Sequence, residues 1–121
     1  MAYRREMKSD IEHLQPPQSI DAEQMVLGAI LKDPQALYKA IEALDSESHF
    51  YHPKHQIVFK AILDMTNRAE PCDIMTVANN LLVDGKLEKI GGRQHLVELV
   101  EGVGSTANLE SYLDIIMENS V

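Results

Sequence analysis

The chain has 121 residues, 45% hydrophobic and 25% charged, with a formal net charge of −8, which suits one soluble domain with a modest core. That charge argues against a main role in gripping nucleic acid, because phosphate binding runs on Lys and Arg, and no apolar run approaches the roughly 18–20 residues that span a bilayer. A single cysteine, Cys72, excludes an internal disulfide and a thiolate metal cluster and fits a reducing cytoplasm.

Residues 1–15 are polar and aperiodic and read as a mobile tail. Their basic residues have no apolar stretch behind them, so they do not form a secretory signal. Pro16 and Pro17 close the tail, since neither continues a helix. Six helical segments follow, each marked by its apolar spacing. The first is predicted to start near Asp21 as N-cap, with Gln24 at the capping-box position and Ile20 and Met25 as a hydrophobic staple. Ala22, Met25, Val26, Ala29 and Ile30 then fall at i, i+3, i+4, i+7 and i+8. Gly28, mid-helix, costs about 1 kcal/mol relative to Ala; it is either merely tolerated or required by the close approach of another helix.

Asp33-Pro34 starts the second segment, with Asp as cap and Pro at the first helical position, and Leu37, Ala40, Ile41 and Leu44 as its stripe. Residues 45–52 are a connector, with Phe50 and Tyr51 as core plugs. Pro53 opens the third helix, which carries Val58, Ala61, Ile62 and Met65, flanked by Ile57 and Phe59, runs to about Asn67 and is expected to be central. Glu70-Pro71 breaks the chain, and Asp73 caps a fourth helix bearing Ile74, Val77, Ala78, Leu81 and Leu82, ended by Gly85. Gly91-Gly92 precedes a fifth with Leu96, Leu99, Val100 and Val103, which Gly102 and Gly104 end. Ser105, Thr106 or Asn108 caps a sixth with Leu109, Tyr112, Leu113 and Ile116. No segment alternates with period two, so no strand is expected, and the fold class is all-α: a compact bundle of about six helices. The chain stops at Asn119-Ser120-Val121 straight after a helix, as a piece of something longer does.

The search for chemistry finds little. There is no P-loop: Gly85-Lys86 is the sole Gly-Lys pair, and Asn80 stands where the first glycine belongs. No G-x-G-x-x-G exists. His49-x-x-His52-x-x-His55 has enough imidazoles to hold zinc, but it spans a connector and a helix start, and helix-boundary histidines explain it better. Cys72 lies one residue before a cap and has no evident histidine partner; packing is its simpler role. The many carboxylates fall on polar helix faces, which are ordinarily just solvated.

Five stretches in register resemble the N-terminal domain of the bacterial replicative DNA helicase, the DnaB family. They are PPQSIDAEQMVLGAIL (16–31), FYHPKHQIVFKAILDM (50–65), EPCDIMTVANNL (70–81), the Gly91-Gly92 turn and STANLESYLDII (105–116). The resemblance covers residues 16–121. It implies a helical head over 16–104, with 105–121 as the first arm of a dimerisation hairpin whose second arm is missing. In the family, six copies pair as a trimer of dimers and form a collar that docks primase. The motor lies in a RecA-like ATPase domain absent from this chain. No catalytic residue, cofactor or metal site is therefore expected here, and ATP and Mg belong to that other domain. By the same resemblance, primase contacts fall at the start of the first helix, the Leu87–Ile90 loop and the beginning of the fifth helix, which places Asp21, Glu88 and His95. The oligomer interface falls on the sixth helix, on Leu109, Tyr112, Leu113, Ile115, Ile116 and Met117; a helix apolar on more than one face needs two burial surfaces, here the head and a partner.

The resemblance thus implies a docking and oligomerisation domain of the replication fork in a bacterial cytoplasm. Its partners are other copies of itself, primase and a helicase loader, with little or no DNA and no membrane. Two alternatives stand beside it. One is the helicase-binding domain of primase, which resembles this fold but lacks the PPQSIDAEQ opening. The other is an accessory surface for single-stranded DNA. With half the hairpin missing, the isolated chain is expected to be monomeric or weakly dimeric.

Overall fold

The computed structural model describes residues 17–105 and 108–119. The tail expected over residues 1–15, Pro16, Thr106 as a candidate cap and the last two residues lie outside that range. Among the described residues there are six α-helices and no strand: α1 Pro17–Lys32, α2 Pro34–Ala43, α3 Pro53–Asn67, α4 Ile74–Val83, α5 Arg93–Glu101 and α6 Leu109–Asn119. Short 3-10 turns occupy Glu47–His49 and Glu88–Ile90. No helix among these residues is long and apolar enough to cross a membrane.

Local chemistry sets most helix starts. Asp33 caps α2, its carboxylate accepting from the Gln35 N–H at 2.9 Å, and Pro34 follows with its φ already helical. His52 caps α3 through Nδ1, which accepts from the Lys54 N–H at 3.1 Å. Asp73 and Thr76 form a reciprocal capping box on α4, both bonds 2.9 Å long. Gly85, at φ +72°, turns the chain out of α4. Gly91 and Gly92, at φ +95° and +77°, make the turn into α5.

Asp21 does not cap α1. The helix begins four residues earlier, because Pro17 fits the first turn, where no N–H is needed. Asp21 is an exposed residue of the second turn, and the Ile20–Met25 staple falls away with the cap.

α1, not α3, is the central helix: α2, α3, α5 and α6 all pack on it. Ala22, Val26, Ala29 and Ile30 are buried as their spacing predicts, and Leu27 and Leu31 join them, so α1 is covered almost all round. Gly28 faces α5 at close range. A Cβ there would lie 2.1 Å from the Leu99 carbonyl oxygen and 2.5 Å from Val103 Cγ2. Of the two readings of Gly28, the close approach is the one the structure shows. The Lys32 ammonium donates to the Val103 carbonyl at 2.9 Å and ties the ends of α1 and α5 together.

Phe50 is a core plug, its ring 4.8 Å from that of Phe59, but Tyr51 is only half-buried. Leu82, expected on the inner stripe of α4, is 63% exposed. It sits one residue past Leu81, and the 100° step between them carries it off the buried face. The α6 residues Leu109, Leu113 and Ile116 are buried against α1 and α2 in the same core.

Candidate functional site

Glu23 is the buried residue that apolar spacing does not anticipate. It lies on α1 among Val26, Leu27 and Ile30, with no exposed surface. Its carboxylate accepts three bonds: from the Tyr51 N–H at 2.6 Å, the His52 N–H at 3.3 Å and His55 Nδ1 at 2.7 Å. One side chain thus joins α1 to the end of the connector and the first turn of α3. A buried carboxylate needs such partners, because desolvation without them costs several kcal/mol. A charged residue inside an otherwise apolar helical stripe was the signal for it.

Around this carboxylate lies a row of imidazoles. The His52 and His55 rings are 4.8 Å apart, and His55 stacks on His95 of α5 at 6.0 Å with a 16° tilt. Of the three histidines spaced in the sequence, His52 and His55 come together. His49 turns away to Asp45, 3.0 Å from it, and His95 takes its place in the row. Among the described residues, no three His, Cys, Asp or Glu side chains converge as metal ligands do. Burial, followed by the charge of His55, pulls the His52 pKa below 6.5. Burial and then His55 and Lys54 do the same to His95. Cys72 moves the other way: burial pushes its thiol up, the reverse of the lowering that makes a nucleophile.

His95 forms one wall of a shallow groove of about 180 Å³ between α1 and α5, which Gln24, Met25, Glu98 and Leu99 also line. His95 Nε2 is buried with no hydrogen-bond partner among the described residues. An unpaired polar atom at that depth is uncommon in folded proteins. Asp21 is exposed one turn along α1 from Gln24 and Met25, on the side that carries Gly28. Glu88 is exposed in the 3-10 turn that leads through the two glycines into α5. The groove therefore brings His95 to the α1 face that carries Asp21, while Glu88 stands at the entry to α5. Of the α6 residues, Tyr112 and Ile115 are half-buried and Met117 is 46% exposed, so these three keep surface available to a partner.

The family profile described as the DnaB-like helicase N terminal domain matches residues 15–118. The chain is 48% identical over 106 residues to the replicative DNA helicase DnaB of Geobacillus stearothermophilus, an overlap of 88% of this chain and 23% of that protein. It is 42% identical over 106 residues to the replicative DNA helicase DnaC of Bacillus subtilis, with the same two coverages. The chain thus spans about a quarter of the length of these curated relatives. Its fold matches the N-terminal domain of DnaB helicase from Mycobacterium tuberculosis with a TM-score of 0.79 at 43% identity, covering 87% of this chain and 75% of that one. It also matches a DnaB-like replicative helicase, solved in a study of its interactions with primase, with a TM-score of 0.68 at 30% identity, covering 80% of this chain and 22% of that one.

Proposed function

This chain belongs to the family of DnaB-like helicase N-terminal domains, and from that premise we propose that it is the collar domain of a replicative DNA helicase, docking primase and organising helicase copies without chemistry of its own. The observation that carries this reading is the α1–α5 groove. It is a small surface groove lined by Gln24, Met25, His95, Glu98 and Leu99, beside the α1 face bearing Asp21. A mixed polar and apolar surface of that kind suits contact with another protein. In this reading Asp21, Glu88 and His95 touch primase, and the outward Tyr112, Ile115 and Met117 of α6 meet a partner subunit. ATP and Mg belong to the motor domain of the parent helicase. The similarity to a helicase studied with primase supports the choice of partner.

Calorimetric titration of a primase's helicase-binding region into this chain tests the reading. Asp21→Lys is expected to weaken binding about tenfold, about 1.4 kcal/mol. Its thermal midpoint should stay near that of the unaltered chain, since Asp21 is exposed and free of a capping role. Equal affinity in the two proteins sinks the assignment. Firm binding of a single-stranded oligonucleotide at moderate salt would favour the nucleic-acid alternative instead.

A further inference from the structure

The cap of α3 differs in chemistry from those of α2 and α4. Asp33 and Asp73 offer carboxylate oxygens, which keep their charge down to about pH 4. His52 offers an imidazole nitrogen. Pro53 has no N–H, so Lys54 carries the first amide of α3 that needs an acceptor, and its N–H donates to His52 Nδ1 at 3.1 Å. That bond fixes the tautomer. Nδ1 presents its lone pair, and the neutral ring holds its proton on Nε2. A second proton has one place to go, the nitrogen that caps the helix. Taken up there, it turns the acceptor into a donor facing another donor.

The surroundings add to the cost of that proton. The titratable and charged groups that face His52 are Glu23 from α1, Lys54 and His55 from α3, and His95 from α5 on the far side of His55. Of these, Glu23 alone attracts a cation, and its carboxylate already accepts from Tyr51, His52 and His55. The His55 ring stands 4.8 Å from the His52 ring, and the N-terminus of α3 is the positive end of the helix dipole. Burial first, then His55 and Lys54, hold the His52 pKa below 6.5 against the pull of Glu23.

We propose that His52 is an acid-sensitive latch: protonation at Nδ1 withdraws the acceptor from the Lys54 N–H and frees the first turn of α3. His55 lies on that turn and stacks on His95 at the α1–α5 groove, so the latch also releases the groove wall. It acts whatever partner the groove takes and so goes beyond the docking reading. The unfolded chain, with His52 at its ordinary 6.5, binds the proton before the folded chain does. Stability held above that pH is therefore lost as the pH falls below it.

Urea unfolding of the 121-residue chain between about pH 7.5 and 5, beside His52→Asn, tests this. Asparagine is a good N-cap whose acceptor does not titrate. Over this range the folded-to-unfolded ratio of the parent is expected to fall roughly fourfold more than that of the variant. In nitrogen NMR spectra of the parent's imidazoles, His52 should start as the Nε2-protonated tautomer and titrate below pH 6.5. The Lys54 amide shift should follow the same midpoint. The proposal is overturned if the two proteins share one pH dependence, if His52 Nδ1 carries the proton at neutral pH, or if His52 titrates at or above 6.5.

Discussion

Glu23 sits inside the core and also bonds the His55 ring that stacks on His95 at the groove. Its three donors come from Tyr51, His52 and His55, and His55 in turn supports His95. Removing the carboxylate leaves those donors buried without an acceptor. Glu23→Ala is accordingly expected to destabilise the fold by about 3–5 kcal/mol, read as a lower urea midpoint with an unchanged slope. A loss under 1 kcal/mol would show that the network contributes little. Residue patterns carry part of this site. A lone carboxylate on the stripe of Val26 and Ile30 is visible in the sequence, and so is the three-residue step from His52 to His55. That His95 completes the row is not visible, because it lies 40 positions beyond His55 and meets it only when α5 packs on α1.

At the scale of helices, the legible features are the ones decided within a few residues. Asp33-Pro34, Pro53 and Asp73 each fix a start by their own hydrogen bonds or ring geometry. α1 is the exception. Both Pro17 and Asp21 have start-site chemistry, and burial of Ser19, which no local rule contains, favours the longer helix. Gly28 is the position where α1 and α5 constrain each other most. Alanine there improves helix propensity by about 1 kcal/mol, yet its methyl group meets the Leu99 backbone at 2.1 Å. A carbonyl inside α5 cannot rotate away, so the helices must separate. Gly28→Ala is expected to lower stability by a net ~1–3 kcal/mol, seen as a lower thermal midpoint, and a rise in that midpoint would refute the close approach. Periodicity also misjudged which helix is central. α3 has a clean stripe, but a helix covered on most of its sides, such as α1, shows a diffuse one.

For the molecule as a whole, α6 is not an appendage of a finished head. Leu109, Leu113 and Ile116 are buried against α1 and α2. Deleting everything after Gly104 removes those side chains and uncovers the apolar surface beneath them. At about 2 kcal/mol for each fully buried aliphatic side chain the loss is roughly 6 kcal/mol, comparable to the ~5–15 kcal/mol that holds a typical domain folded. The truncated chain is expected to show no cooperative melting transition by circular dichroism; a sharp one would mean that 16–104 folds alone. Sequence spacing found the α6 stripe but could not say which of its residues enter the core, because that depends on how close α1 comes. The connector before α3 carries one more consequence. Loop amides ordinarily trade their hydrogens for solvent deuterium within seconds, but the Tyr51 and His52 amides are bonded to a carboxylate sealed beneath the surface. They are therefore expected to exchange more slowly than loop amides that face solvent, at a rate set by how often the contact between α1 and the connector opens.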